Sequence, residues 1–285
     1  MRLTPNGFGG LLLVLSLSAC AGDMNAANTP NAPSNFDQKA PSVDPAPAVD
    51  PAPAIDAVSS IQLHQDRYKL NDTHTKLVDN RGNGFDALYG VRNFRAVLNG
   101  VVYRGGANNA YNKYGKRSNS NPLPTLGLQN LCKEGFSTAV YLYSTNYASA
   151  PHAVDCQSNL SSAKTHLDYK QFNPTTTSGQ KAIFDAVYAS IKDPSRGPVY
   201  LHCWNGWHAS GLASALVLRQ FCGMDATTAQ KYWDLNTDGA PIDSSYTSIR
   251  ERIRTFSPLA GYQISPEMKR EICPTGVTVE ELAAE

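Results

Sequence analysis

The sequence predicts an α/β domain with a central, mainly parallel sheet flanked by helices. Three observations carry that expectation. Short runs of β-branched and aromatic residues alternate with segments whose apolar residues recur at helical spacing, Gly and Pro punctuate the boundaries, and residues 60–285 are enough for one sizeable core.

The elements follow in chain order. Residues 126–133 read as a helix that ends at Gly135, and residues 136–143, Phe-Ser-Thr-Ala-Val-Tyr-Leu-Tyr, as the buried strand that it feeds. Residues 166–172 form a second strand, broken by Asn173-Pro174. A helix starts at Ser178, with Ile183, Val187 and Ile191 four residues apart and Phe184 and Tyr188 beside them, and stops before Pro194. Residues 198–201 are a short apolar strand. After His202-Cys203 and the loop of residues 204–211, an apolar helix runs from Leu212 through Leu216, Val217, Leu218 and Phe221 to Gly223. Residues 225–233 and 244–256 are amphipathic, the second with Tyr246, Ile249, Ile253 and Phe256 on one face.

Ahead of this domain lie two other kinds of sequence. Residues 1–19 carry Arg2, an apolar run over 11–17 and small residues up to Cys20, the layout of an export signal whose apolar run is too short to span a bilayer. Leu17-Ser18-Ala19-Cys20 resembles the lipobox of bacterial lipoproteins, which implies cleavage before Cys20, acyl chains on that cysteine and a stable membrane anchor. Ala21, where a retention signal would place Asp, implies the outer membrane. An ordinary cleaved signal with an incidental Cys20 is the other reading. Residues 20–59 are rich in Pro and Ala and repeat Val-Asp-Pro-Ala-Pro-Ala at 43–48 and 49–54, so they are expected to form an extended, disordered tether.

Removal of residues 1–19 takes away Arg2 and no acid, so Lys plus Arg falls from 25 to 24 and equals the 24 Asp plus Glu. A net charge near zero argues against a nucleic-acid partner. Five cysteines follow Cys20: Cys132, Cys156, Cys203, Cys222 and Cys273. In an oxidising compartment an odd count leaves at least one thiol unpaired. With Cys203 as that thiol, the other four have three possible connectivities, and chain order favours Cys132 with Cys156 and Cys222 with Cys273.

The segment that carries chemistry is a strand ending in His202-Cys203, a tight loop and a helix. Backbone N–H groups of such a loop, with the helix N-terminus behind them, make a site for an anion. The same positive field favours the thiolate form of a cysteine, the form that attacks phosphorus.

His202-Cys203-Trp204-Asn205-Gly206-Trp207-His208-Ala209-Ser210-Gly211 resembles the motif of the protein-tyrosine-phosphatase superfamily: His-Cys, two residues, Gly, two residues, Arg, Ser or Thr, Gly. Five of the six motif positions match, and Ala209 stands where the family has arginine. Asn93-Phe94-Arg95 and Val102-Tyr103-Arg104-Gly105-Gly106 are similar to a segment of bacterial members, so the likeness covers residues 92–233.

The resemblance implies a cysteine-phosphatase-like fold and hydrolysis of a phosphomonoester. Cys203 would be the nucleophile, Ser210 would help the thiolate leave the phosphoenzyme, and His202 would orient the loop. Trp204, Asn205, Gly206, Trp207, His208, Ala209 and Gly211 would complete the anion-binding loop. Neither a metal nor a cofactor is called for, and the implied partner is a phosphorylated or other anionic ligand.

Two departures weaken the enzyme. Without the forked arginine, two charge-assisted bonds of about 1.5–3 kcal/mol each are lost, on the order of 10²–10⁴ in rate. The family's general-acid loop corresponds to residues 172–177, which hold no carboxylate, and this removes another ~10²–10⁴ for poor leaving groups. Asp168 lies nearby, inside the strand pattern. Protonated His208, or Arg92, Arg95 or Arg104, are candidates for replacing the lost charge, and Trp204 and Trp207 for walling a pocket. Two functions stay open: an impaired phosphatase, and a binding protein of the same fold that has lost turnover. A redox role for Cys203 is a third.

Overall fold

The computed structural model describes residues 59–107, 122–193, 195–239 and 243–275; the signal segment, Cys20 and most of the tether lie outside the described residues. Within them the chain forms α1 (Ser60–Tyr68), β1 (Val91–Leu98), β2 (Val102–Ala107), α2 (Thr125–Lys133), β3 (Thr138–Tyr141), β4 (Ala153–Gln157), β5 (Lys164–Gln171), α3 (Thr177–Lys192), β6 (Val199–Cys203), α4 (His208–Val217), α5 (Ala226–Leu235), α6 (Thr247–Thr255) and α7 (Pro266–Ile272). The strands make one sheet in the order β1-β2-β6-β3-β5-β4. The three central pairings, β2/β6, β6/β3 and β3/β5, are parallel, and the outer pairings β1/β2 and β5/β4 are antiparallel. The expected α/β class with a mostly parallel sheet flanked by helices is present, the sheet being mixed at its edges.

Side chains alternate across the pleat, so β6 supplies both faces. Val199, Leu201 and Cys203 enter a core shared with α3, α4, α5, α6 and α7, whereas Tyr200 faces a second core built from α2, Phe94, Tyr103 and Phe136. Helix α1 contributes Ile61 to the first core and Tyr68 to the second. Edge strand β1 is buried along its whole length, because residues 77–78 pair with Phe94 through Leu77 N–H to Phe94 O, 2.9 Å, and Phe94 N–H to Val78 O, 3.0 Å. That contact covers ladder groups an edge strand otherwise exposes.

Local chemistry explains where the helices start. Thr176, Asp225 and Ser265 cap α3, α5 and α7, each accepting a first-turn N–H, and Pro266 at the first turn of α7 lacks only a donor that would have been idle. Helix α4 begins at His208, whereas the sequence placed its start at Leu212. Gly211 N–H donates to Trp207 O, 3.0 Å, so residues 208–211 of the expected loop are already the first helical turn. The helix then widens into a π-helical turn, Leu218–Cys222, and ends at Gly223 with φ of 75°. The segment 244–246 is a 3₁₀ turn ahead of α6. Sequence periodicity also missed α1, β4, α7 and the β1–β2 hairpin as elements.

Cys132 is bonded to Cys156, joining α2 to β4, and Cys222 to Cys273, joining the end of the α4 region to the end of α7; Cys203 is free and buried. This is the connectivity that chain order favoured. No helix among the described residues is long and apolar enough to cross a membrane.

The Cys222–Cys273 bridge closes a separation of 51 residues. Chain entropy assigns such a loop about 4 kcal/mol. The double variant Cys222→Ser, Cys273→Ser is expected to lose roughly 2–4 kcal/mol in urea unfolding, and an unchanged midpoint would show that packing of α7 alone holds the C-terminal layer.

Candidate anion-binding loop around Cys203

The parallel order β2-β6-β3 puts the end of β6 in the middle of the sheet, so the chain leaves β6 between two strands and turns directly into α4. His202 anchors the exit. Its ring lies among those of Tyr141, Tyr169 and Tyr200, with centroids 5.2–5.7 Å away. Nδ1 is 3.2 Å from the Cys203 carbonyl, which only accepts, so Nδ1 carries the proton and Nε2 accepts from the Tyr169 hydroxyl at 2.9 Å. That hydroxyl in turn accepts from Leu123 N–H, 3.0 Å. Burial pushes the His202 pKa down to about 3 and the Tyr169 hydroxyl up, so the pair is neutral.

The loop itself is held from behind. Four consecutive carbonyls are drawn toward the β1–β2 hairpin: Trp204 O accepts from Ala107 N–H at 3.1 Å, Asn205 O from Asn93 Nδ2 at 2.8 Å, and Gly206 O and Trp207 O from Arg104 Nη2 at 2.7 and 2.9 Å. In a planar trans peptide the N–H points opposite to the carbonyl before it. The N–H groups of Asn205, Gly206 and Trp207 are therefore turned away from the hairpin. Among the described residues they donate to nothing, and neither do those of Ala209 and Ser210 in the first turn of α4.

Two glycines permit this contact. A Cβ on Gly106 would stand 2.5–2.7 Å from the backbone of residues 204–206, and Gly206, at φ of 80°, faces Gly105 and Gly106 just as closely.

Arg104 is fully buried. Besides the two carbonyls it donates to Ser210 Oγ at 3.3 Å and, through Nη1, to the Tyr232 hydroxyl at 3.1 Å. Among the described residues it has no carboxylate partner, and its Nε has none at all. Ser210 Oγ also takes the Cys203 thiol, Sγ to Oγ 3.5 Å, so the guanidinium, the hydroxyl and the thiol form a chain.

Arg92 donates to the Asn205 side chain, and Arg95 to Asn236 and to Asp238, 3.3 Å. Burial, with Arg104 nearby, lowers the Arg95 pKa to about 10. Burial pulls the Asp238 carboxyl up, but Arg95, Lys76 and the Trp207 indole together outweigh it and hold it below the usual carboxylate range. Trp207 Nε1 donates to Asp238 at 2.9 Å, a further tie on the loop.

No protein-family model matches the chain, and no curated protein matches it. The chemistry of the loop therefore rests on its own geometry.

The residues singled out in sequence separate into two groups. Cys203, Ser210, His202, Gly206 and Gly211 converge on the turn from β6 to α4. Of the three candidate cations, Arg104 lies on the carbonyl side of the loop, Arg92 bonds the Asn205 side chain, and Arg95 is turned to Asn236 and Asp238. The ring of His208 stacks on Tyr246, centroids 4.0 Å apart. Trp204 is 40% exposed, and Trp207 is turned to Asp238, so neither walls the groove beside the loop.

That groove, about 410 Å³, runs past Ala209 and is formed by residues 142–144, 171–175 and the faces of α4 and α6. Asp168 stands outside it on β5, paired with Lys170 and His166. Asn173 uses its side chain to close a turn onto Thr175 N–H, 2.9 Å, so the 172–177 loop offers amides and hydroxyls but no acid. Among the described residues no group of three His, Cys, Asp or Glu is arranged to hold a metal.

Sequence reading missed Asn93, Tyr232 and Asp238. Asn93 leaves a trace only as part of the Asn-Phe-Arg segment, and its φ of 51° becomes meaningful once the strand is seen to bend toward residue 205.

Two outcomes follow. Arg104→Met removes at least two charge-assisted bonds, about 1.5–3 kcal/mol each, so chemical denaturation should show a loss of roughly 3–5 kcal/mol; Arg104→Lys should recover only part, since an ammonium cannot fork onto two carbonyls. His202 titrates near 6.5 when unfolded and about 3 when folded, so the unfolded state binds the extra proton between those values. Stability should therefore fall as pH drops from about 6.5 toward about 3, by up to roughly 1.4 kcal/mol per pH unit, and His202→Phe should flatten that slope. An equal slope in wild type and variant would mean that His202 is not the buried titrating group.

Proposed function

We propose that the loop from Cys203 to Gly211 binds the phosphoryl group of a phosphoester and that Cys203 attacks it, as in the cysteine phosphatases that the motif resembles. The observation that carries this reading is the fourfold backward tie of the loop carbonyls, which aims successive N–H groups to one side of a free thiol. A fully buried guanidinium that has only neutral acceptors among the described residues supports it, because a buried cation without a counter-charge is costly and an anion on the loop would balance it. Ser210, within reach of both Arg104 and Cys203, is placed to stabilise the thiolate as it leaves the phosphoenzyme.

Turnover is confined to good leaving groups. Ala209 offers no fork to the phosphoryl oxygens, and the residues beside the groove supply no acid to protonate a poor leaving group. These same two features favour a second reading, in which the loop holds its anion without turnover. On the pattern Leu17-Ser18-Ala19-Cys20, we place the protein in the cell envelope, anchored through lipid on Cys20 to the outer membrane, with the domain carried on the Pro/Ala-rich tether.

Purified protein should hydrolyse an activated aryl phosphate slowly, and Cys203→Ser should abolish the reaction while leaving the melting temperature within a few degrees. Hydrolysis that survives Cys203→Ser would remove the cysteine mechanism. Wild type as inert as Cys203→Ser, with phosphate still bound, would establish the binding reading instead.

A further inference from the structure

We infer that the anion taken by the loop is a phosphodiester with a single negative charge, one of whose ester substituents lies in the groove beside Ala209; this rests on the phosphoryl-binding reading above. Charge is the first argument. Arg104 acts from behind the loop carbonyls, and no ammonium or guanidinium lines the groove. The cost of taking an ion out of water grows as the square of its charge, so a dianion loses roughly four times the hydration of a monoanion. The loop amides, with Arg104 only behind their carbonyls, offset the smaller cost far more readily.

Space is the second argument. Ala209 is part of the groove wall, so the small side chain that removes the guanidinium also opens about 410 Å³ beside the loop. An arginine side chain at 209 would occupy that volume and bring a charge into it.

The character of the groove points the same way. Leu142, Tyr143, Ala209, Leu212, Tyr246 and Ile249 supply apolar and aromatic surface, the rest of the wall is mostly amides and hydroxyls, and the one titratable imidazole in it, His208, is stacked on Tyr246; none of the lining residues is Asp, Glu, Lys or Arg. Arg252 reaches its rim but donates to the Thr175 carbonyl at 2.7 Å. Such walls suit an uncharged organic substituent, the second arm that a diester has and a monoester lacks.

The chemistry balances without a general acid when one substituent is a weakly basic alcohol or phenol. The Cys203 thiolate forms a P–S bond as that P–O bond breaks, and the ester oxygen leaves with the electron pair. Water then cleaves the P–S bond, which returns the thiolate, releases a phosphomonoester and gives one proton to solvent.

The test uses the full chain with its disulfides intact. Protection of Cys203 from iodoacetamide, followed by peptide mass mapping, and thermal stabilisation are measured with inorganic phosphate, para-nitrophenyl phosphate and bis(para-nitrophenyl) phosphate. At about pH 8 the monoester is a dianion, its second pKa being about 6. There the diester should act at concentrations about tenfold lower than the monoester, and the gap should narrow at about pH 5. Ala209→Arg should reverse the order. Ala209→Leu, which fills space without adding charge, should lower the preference for diester over phosphate and serves where the arginine variant does not fold. Stronger action by the monoester dianion, or an order unchanged in both variants, overturns this inference alone. Failure of all three compounds to protect or stabilise overturns the phosphoryl-binding reading with it.

Discussion

The attachment of the 204–207 carbonyls to the β1–β2 hairpin is the constraint on which the rest of the site depends. A tight turn from strand to helix has more donors and acceptors than its own backbone can pair. Here Ala107, Asn93 and Arg104 take up the acceptors, and the donors are left facing the other way. The polarity of the loop is therefore fixed by groups that stand behind it. Gly106 and Gly206 matter for the same reason: with side chains there, hairpin and loop could not approach closely enough for those bonds to form.

That arrangement leaves positive charge under the loop. Among the described residues Arg104 is buried with neutral acceptors only, and Arg95 is close enough to be affected by it, with Asp238 as the balancing carboxylate for Arg95 and Lys76. Asp238 also receives the Trp207 indole, so the charge network and the loop are mechanically one unit. His202 completes the rigid base from the opposite face of the sheet. Its neutral ring, held among three tyrosines, fixes the Cys203 carbonyl without adding charge beside the thiol.

The ligand side has a different character. The groove at Ala209 mixes apolar and aromatic surface with amides, hydroxyls and the His208 ring, without a carboxylate, ammonium or guanidinium in its lining, and the turn at Asn173 satisfies itself internally. A strongly polar base beneath a weakly charged opening is the setting in which the proposed ligand, with compact charge and an uncharged remainder, would sit. That contrast connects the buried guanidinium, the alanine at 209 and the acid-free loop in one physical account.

Much of the fold was legible in the sequence because buried strands and amphipathic helices leave periodic traces: Ile183, Val187 and Ile191 on α3, the aromatic and β-branched run of β3, and the apolar stretch of α4 all lie where spacing put them. The odd cysteine count required at least one free thiol, the motif pointed to Cys203, and chain order favoured, among three connectivities, the pairing that is found. The hairpin, β4 and the short terminal helices were not legible as elements, since a polar edge strand such as β4 carries little hydrophobic signal and a strand buried on both faces does not alternate. The motif residues were visible one by one, but the side of the loop on which each guanidinium stands was not. Spacing records which residues are near one another along the chain, whereas the direction of a loop's carbonyls is decided by the partners that the sheet brings to them from residues 93, 104 and 107, about a hundred positions away.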